Sequence, residues 1–262
     1  MSQLTEIQQQ ILSRSRSSIN GTKKLINRLK RLLPVGYKQS IKQKLKPLLM
    51  LKTRIELLTV GMHPLVQDWC SRGINVHRIY LEQFLQSFAS DIKGHCLEFQ
   101  EDSYTSHYGS GRGTKLDILN KDQAHSNATI IADLTQPNSL PSNTFNCIIC
   151  TYVLHLIPEI DRTIAELYRI LKPGGVLLVA VPDITINHSV YNELWRFTKR
   201  GLYFLLAKSF KPENITMKTY DNSLVAAGEL RGMAAFDFTS TQLNYNDPRF
   251  AVTVCARAVK SN

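Results

Sequence analysis

Long apolar runs are absent from this 262-residue sequence. No stretch approaches the roughly 18 consecutive apolar residues that a membrane-spanning helix needs, so we expect no such helix. The first ten residues, MSQLTEIQQQ, also lack the charged-then-apolar layout of a secretory signal. The sequence therefore predicts a cytoplasmic protein that is either free or peripheral to the membrane.

Cysteine is also scarce, and the five cysteines are scattered along the chain. An odd number of isolated cysteines favours free thiols in a reducing compartment. Cys147 and Cys150 are spaced as CxxC, but they lie in a strand pattern, where residues three apart point to opposite faces. We therefore expect two buried core thiols and predict no metal site.

Acidic residues are nearly missing from positions 1–55, which hold only Glu6 beside 13 lysines and arginines. Because the whole chain has a formal net charge of +11, the remainder is close to neutral. Such asymmetry indicates a segment with its own partner. We predict a basic, partly helical extension over residues 1–75 and a globular domain over residues 76–262.

The extension contains a predicted amphipathic helix that ends at Pro34. Its apolar residues share one face, and they are Leu25, Ile26, Leu29, Leu32 and Leu33. Basic residues cover much of the remaining surface, and a second basic stretch is interrupted by Pro47. Three partners stay open for residues 20–55: the chain's own domain, an anionic membrane or lipid-linked substrate, and the phosphates of a nucleic acid.

The globular part alternates short apolar runs with helical patterns. The predicted strands are His95–Phe99, Lys115–Leu119, Thr129–Ala132, Phe145–Cys150, Val176–Val181, Asn214–Tyr220 and Phe250–Val259. A helical stripe lies between the fourth and fifth strands and stops at the sequence KPGG. Runs of this kind suit strands buried on both faces of a parallel sheet, so the sequence predicts an α/β fold built from β-α-β units.

Glycine is missing where a nucleotide-binding sheet usually has it, in the loop after the first strand. In GHCLEFQEDSYTSHYG no glycine occurs between Gly94 and Gly109. Such loops normally use glycine so that the backbone can approach a ligand closely. A polar alternative is a short helix in SYTSHYG, capped by Asp102 and Ser103, whose free N–H groups would face the ligand.

The run DLTQPNSLPSNTFNCIICTYVLHLIPEIDRTIAELYRILKPGGVLLVAVP resembles the second half of a class I S-adenosylmethionine-dependent methyltransferase. The resemblance covers about residues 76–262. It implies a Rossmann-like, seven-stranded, mostly parallel sheet with an antiparallel last strand, and S-adenosyl-L-methionine as cofactor. The segments RGINVHRIYLEQFL, CLEFQEDSYTSHYG, LWRFT and LNYNDPRFAVTVCARAVK resemble a bacterial subgroup that is often associated with polysaccharide biosynthesis. That subgroup lacks the full GxGxG, and Gln100 here occupies its remaining glycine position.

The resemblance implies a set of cofactor contacts at successive strand ends. Glu98 would reach the amino group of the cofactor, Asp117 the ribose hydroxyls, and Asp133 the adenine amino group. Acids at the carboxyl edge of a parallel sheet suit these roles. The full predicted cofactor set is Glu98, Phe99, Gln100, Asp117, Ile118, Asp133, Leu134 and Thr151.

Acceptor residues are expected after the fourth and fifth strands. His155 follows the fourth strand and is the candidate general base, although it could equally start a helix and pack locally. Tyr152, Trp195 and Arg196 are candidates for the acceptor pocket. Core packing by Trp195 and Phe197, with Thr198 capping the next helix, is the structural alternative.

The favoured function is methyl transfer from S-adenosylmethionine to an oxygen of a glycan or a lipid-linked saccharide. The basic extension keeps RNA methylation open as an alternative, and Gln100 keeps open a non-catalytic scaffold with a degenerate cofactor loop.

Overall fold

The computed structural model describes residues 45–48, 50–53, 55, 63–66, 71–99, 103–121, 127–137, 140–187 and 192–261. The chain divides into two units, Met1–Leu58 and Thr59–Asn262. In the first unit, residues 45–48 and 50–53 are helical, and the predicted amphipathic helix over residues 25–33 lies outside the described residues. No helix among the described residues is both long and apolar enough to cross a membrane.

The second unit is built around a seven-stranded sheet. Its strands are β1 Gly94–Phe99, β2 Gly113–Asn120, β3 Ile130–Ile131, β4 Phe145–Thr151, β5 Leu171–Pro182, β6 Ile215–Tyr220 and β7 Thr253–Val259. Helices lie between them: α1 Val76–Ser87, α2 Ser103–Tyr108, α3 Ile160–Ile170, α4 Lys199–Leu206, α5 Ser223–Leu230 and α6 Ser240–Asn244.

The order of the strands across the sheet is β3-β2-β1-β4-β5-β7-β6. The pairs from β3 to β5 are parallel, whereas β7 is antiparallel to both β5 and β6. The predicted seven-stranded α/β sheet with an antiparallel last strand is therefore confirmed. Because β6 runs in the same direction as β1–β5, the carboxyl ends of six strands meet at one edge of the sheet.

Alternate residues of the central strands pack into two apolar layers, one on each face of the sheet. Ile148 and Cys150 of β4 belong to one layer, and Cys147 and Ile149 belong to the other. Cys147 and Cys150 are free, buried thiols, which confirms the prediction that the CxxC residues point to opposite faces. The sheet is thus covered on both sides, as its apolar strands predict.

The helix stripe predicted between β4 and β5 is present in α3. Ile160, Ile164 and Leu167 are buried against the sheet. The chain then enters β5 directly at Leu171, earlier than the predicted Val176, and it bends at Gly174, which has φ +73°. A side chain is strained at such a φ, so glycine suits this bend.

Residues 63–75, which the sequence prediction assigned to the extension, belong to the second unit. The backbone N–H of Leu65 donates to the carbonyl of Arg231 at 2.9 Å. Arg72 forms an ion pair with the buried Asp237, also at 2.9 Å. The domain therefore begins earlier in the chain than residue 76.

Candidate active site

A cavity of about 260 Å³ opens at the carboxyl edge of the sheet. Its walls come from the ends of β1, β2 and β3 and from the segment that follows β4. The lining residues are Phe99, Leu119, Asn120, Lys121, Ala132, Asp133, Leu134, Thr135, Val153, Leu156, Ile157 and Pro158. Ligands of open α/β sheets bind outside the carboxyl ends of the strands, so this cavity is the candidate cofactor site.

Asp133 follows β3 at the position that the sequence predicts. Its carboxylate forms an ion pair with Lys121 at 2.8 Å. It also accepts hydrogen bonds from the hydroxyl of Thr135 at 2.7 Å and from the backbone N–H of the same residue at 2.9 Å. The pairing with Lys121 and the bonds from Thr135 lower the pKa of Asp133 to about 2. An ionised acceptor therefore faces the apolar walls of the cavity.

Asp117 does not end its strand, so its predicted position was wrong, whereas its contact with the ribose stays a prediction. β2 continues to Asn120, and Asp117 pairs with Leu97 inside the sheet. Its carboxylate lies 2.6 Å from Nε2 of His95 and accepts a hydrogen bond from Thr129 at 2.9 Å. Burial opposes ionisation of Asp117, but hydrogen bonds from these neighbours outweigh it and lower the pKa. Asn120, the last residue of β2, lines the cavity, and Asp117 is not among its lining residues.

Glu98 lies near the end of β1 as expected, but its carboxylate forms hydrogen bonds within the protein. The side chain accepts hydrogen bonds from the backbone N–H groups of Thr105 and, at 3.2 Å, Tyr104. The predicted short helix is confirmed as α2, whereas the expectation that its N–H groups stay free for a ligand was wrong for these two. Gln100 and Asp102 lie outside the described residues.

The other predicted cofactor residues divide between the cavity and the sheet. Phe99 and Leu134 line the cavity. Ile118 is 7% exposed, and its backbone N–H donates to Thr129 at 2.9 Å. Thr151 is the last residue of β4 and pairs with Ala180 of β5. The roles of all four in cofactor binding stay predictions.

His155 occupies a short 3₁₀ turn, Leu154–Leu156, directly beyond β4. Its ring is buried, and Nε2 lies 3.6 Å from a carboxylate oxygen of Glu193. Burial lowers the pKa of His155 to about 4, against the attraction of Glu193. The Nδ1 atom has no hydrogen-bond partner within the described part of the chain. His155 is therefore a neutral imidazole near pH 7.

Glu193 is a residue that the sequence reasoning missed. Its side chain is only 2% exposed and also pairs with Arg196 at 2.6 Å. Nothing in the local pattern LWRFT indicates that this carboxylate meets a histidine some forty positions earlier, because the contact is made only by the fold. Two backbone hydrogen bonds hold the same two segments together. The carbonyl of His155 accepts hydrogen bonds from the N–H groups of Leu194 and Trp195, at 2.9 and 3.2 Å.

A second cavity, of about 740 Å³, adjoins the first and shares Pro158 with it. Trp195 and Arg196 line this cavity, and their predicted role in acceptor binding stays a prediction. The structural alternative also holds in part, because Phe197 is 4% exposed and Thr198 caps α4 through Gly201 N–H at 3.1 Å.

Tyr152 lines neither of these two cavities, and its predicted role at the acceptor stays a prediction. Its hydroxyl contacts the carbonyl of His77 at 3.3 Å and the hydroxyl of Thr253 at 3.0 Å. Burial raises the pKa of Tyr152 well above its ordinary value. The ring packs into the apolar layer beside His77, with centroids 5.3 Å apart.

Comparisons with known proteins agree with this architecture. Residues 94–179 match the family model described as a methyltransferase domain. This part of the chain, about a third of its length, is therefore similar to methyltransferase domains.

Three similar proteins illustrate the match. A demethylmenaquinone methyltransferase from Listeria monocytogenes serotype 4a (strain HCC23) is 28% identical over 118 residues, which are 44% of this chain and 46% of that protein. A ubiquinone/menaquinone biosynthesis C-methyltransferase UbiE from Pasteurella multocida (strain Pm70) is 44% identical over 55 residues, or 20% of each chain. A structure of a SAM dependent methyltransferase from Archaeoglobus fulgidus covers 72% of this chain and 96% of its own, with 11% identity and a TM-score of 0.48.

The match to the curated relatives is partial in length. This chain spans about half of the Listeria protein and a fifth of the Pasteurella protein.

Proposed function

We propose that the protein transfers a methyl group from S-adenosylmethionine to an oxygen of a glycan or a lipid-linked saccharide. The observation that carries the proposal is the pair of adjoining cavities at the carboxyl edge of the sheet, which share Pro158. One is bounded by the ionised Asp133 and the other by Trp195 and Arg196. Methyl transfer requires that the methyl donor and the methyl acceptor bind at neighbouring sites.

The residues of the smaller cavity fit the adenosine end of the cofactor. Phe99, Leu134 and Val153 supply apolar walls for a flat ring. The carboxylate of Asp133 can accept a hydrogen bond from an exocyclic amino group, and Asn120 offers an amide to the ribose hydroxyls. When bound, the cofactor would supply an electrophilic methyl group on a sulfonium.

The chain's own contribution to the transfer is mainly positioning. Transfer from a sulfonium depends on in-line geometry more than on a strong base. His155, with a pKa of about 4, is unprotonated at neutral pH, but it is buried and lines neither cavity. As a base it would be weak and would need the site to open toward it. Arg196 and Trp195 would hold the saccharide, the first by hydrogen bonds and the second by its ring face.

A second acceptor class has its own support. Ile160, Phe197, Phe204 and Leu205 give the larger cavity apolar walls, and the Listeria relative is named for methylation of a menaquinone precursor. An apolar quinone ring is therefore the competing acceptor, with carbon as the methylated atom. RNA methylation remains a further alternative that rests on the basic extension.

The first test asks whether the cofactor binds. Calorimetry of the full chain with S-adenosylhomocysteine should give saturable binding at one site. No binding would favour the scaffold with a degenerate loop, and Gln100→Gly in the same assay would show whether that side chain obstructs the site.

The second test asks which acceptor is used. The protein is incubated with S-adenosylmethionine carrying a labelled methyl group and, separately, with a lipid-linked saccharide extract, a demethylmenaquinone and total RNA. Label in the saccharide, removed by Trp195→Ala, supports the proposal. Label in the quinone alone or in the RNA alone would overturn the acceptor assignment and leave the methyl transfer intact.

A further inference from the structure

The surface around α4 exposes large apolar side chains. Leu194, Trp195, Tyr203 and Phe204 are 51%, 44%, 36% and 64% exposed. All four lie within eleven consecutive residues, and Phe204 is the most exposed of them. Single exposed apolar residues are ordinary, but a cluster of them usually marks an interaction surface. Residues 194–211, which contain the four, are named the aromatic–basic face below.

The same segment carries only positive charge. Its sequence, LWRFTKRGLYFLLAKSFK, contains five basic residues and no acidic one. Arg196 and Lys208 are paired, with Glu193 at 2.6 Å and Asp161 at 2.7 Å. Lys199, Arg200 and Lys211 are exposed, and no carboxylate among the described residues forms an ion pair with them. The charges of these three residues are therefore available to a partner that binds the face.

The helix geometry separates this face from the core. Leu202 and Leu206 of α4 are fully buried in the apolar layer that covers the sheet. Arg200, Tyr203 and Phe204 follow the spacing i, i+3 and i+4, so they share the opposite side of the helix. A surface helix normally presents polar residues there. α4 is instead apolar on its inner side and aromatic and basic on its outer side.

We infer that the aromatic–basic face docks on an anionic phospholipid bilayer, with α4 lying in the plane of the interface. Aromatic rings favour the headgroup level, and lysines and arginines pair with lipid phosphates. The charges of Lys199, Arg200 and Lys211, which pair with no carboxylate of the described residues, are complementary to such a surface and favour a bilayer as the occupant. A second copy of this chain would bring like charges together.

The aromatic–basic face also borders the opening of the larger cavity. Trp195, Gly201 and Phe204 line the 740 Å³ cavity as well as the surface. Docking would therefore bring the opening of that cavity to the lipid, where an acceptor with a lipid anchor would be presented. This last consequence rests on the proposed function, whereas the docking itself does not depend on methyl transfer.

The test uses fluorescence of Trp195 in the full chain. The protein has two tryptophans, so Trp69→Phe leaves Trp195 as the only indole. Vesicles of phosphatidylcholine and phosphatidylglycerol with brominated acyl chains are then added. The expected result is a blue shift and strong quenching with the anionic vesicles at low salt, with much less of either on pure phosphatidylcholine.

Two variants in the Trp69→Phe background examine the two kinds of contact. Lys199→Gln/Arg200→Gln should weaken vesicle binding about 30-fold, from the usual contribution of two interfacial charges. Tyr203→Ser/Phe204→Ser should abolish the quenching. Lys93→Gln/Lys115→Gln, at the opposite edge of the sheet, is the matched control and should bind like the parent. All of these side chains are exposed, and circular dichroism should show unchanged folds.

Three outcomes would overturn the inference. Vesicles that bind the protein but leave Trp195 unquenched would place the contact elsewhere, for example in residues 20–55. If Lys93→Gln/Lys115→Gln weakens vesicle binding as much as Lys199→Gln/Arg200→Gln does, the binding is a general attraction between opposite charges and not docking of this face. A concentration-dependent dimer in sedimentation velocity that Tyr203→Ser/Phe204→Ser dissociates would make a second copy the occupant.

Discussion

Asp133 is the predicted acid that the structure places against the smaller cavity. We expect Asp133→Ala to weaken S-adenosylhomocysteine binding by about 1.5–3 kcal/mol, the range for a hydrogen bond to a charged group. Asp117→Asn is the comparison, because its carboxylate is engaged by His95 and Thr129 inside the sheet. That change should lower stability and leave affinity nearly intact. Calorimetry measures the affinity of both variants for S-adenosylhomocysteine. A larger loss of affinity for Asp117→Asn than for Asp133→Ala would support Asp117 as the ribose contact.

Asp221 contributes a pH dependence of stability. It is 1% exposed, and burial raises its pKa to about 7, although hydrogen bonds from Asn222 N–H and the Tyr80 hydroxyl oppose this. A raised pKa favours the protonated carboxyl in the folded protein. The stabilisation by the proton is complete below about pH 4, and it is lost as the pH rises through 7.

The variant Asp221→Asn mimics the protonated carboxyl. It tests how much stability the folded protein loses when Asp221 ionises. We expect it to match the parent most closely below about pH 4 and to be more stable by roughly 2–4 kcal/mol at pH 8. The backbone at this position has a φ of +131°, and the variant keeps a side chain of the same shape, so both proteins carry the same backbone strain. Urea unfolding of both proteins across this range gives the difference directly. A difference that does not change with pH would show that Asp221 is ionised throughout.

Individual site residues were predictable only where the chemistry follows from a strand end. Asp133 was found because a short apolar run stops immediately before it. Asp117 was placed at a strand end from the resemblance, although the run KLDIL already predicts a strand that continues to Leu119, and β2 ends one residue later, at Asn120. The contact of Glu193 with His155 and the burial of Asp221 depend on elements distant in sequence. No spacing rule in a single sequence reports such contacts.

At the scale of elements, α2 depends on one buried carboxylate. Glu98 is 1% exposed and accepts from two backbone N–H groups at the start of the helix. Glu98→Gln would keep one oxygen acceptor and turn an amide N–H₂ toward the other donor, so we expect a loss of about 1–3 kcal/mol in the free energy of unfolding. Urea denaturation measures it. Glu82→Gln on the outer side of α1, whose half-exposed side chain pairs with Arg78, should cost less than about 0.5 kcal/mol.

An equal loss in these two variants would mean that Glu98 does not hold α2. If the loss is specific, S-adenosylhomocysteine binding of Glu98→Gln separates two roles. A fall in affinity beyond the fall in stability would support the predicted contact with the cofactor's amino group.

The elements themselves followed well from the sequence, and their ends did not. All seven strands were predicted because buried apolar runs have a strong pattern. β3 has only two residues rather than four, and β7 begins at Thr253 rather than Phe250. Strand ends depend on where the neighbouring strand stops donating hydrogen bonds, and helix ends on their caps. Both are properties of pairs of elements.

At the scale of the whole molecule, the charge asymmetry and the unit boundary fall close together. The basic stretch ends near residue 55, and the second unit begins at Thr59. The sheet, both apolar layers and the two candidate cavities are formed by residues of the second unit. We therefore expect that residues 1–55 can be removed without unfolding the domain.

The truncated chain should keep its melting temperature within a few degrees and its affinity for S-adenosylhomocysteine, as measured by circular dichroism and calorimetry. It also separates two membrane contacts, the one proposed for residues 20–55 and the one inferred for the aromatic–basic face. If the extension attaches the protein to anionic surfaces, truncation weakens vesicle binding and its salt dependence. Quenching of Trp195 at saturating lipid should persist, because α4 is still present. An insoluble or melted truncated protein would instead mean that the apolar stripe of the extension packs on the domain and completes its fold.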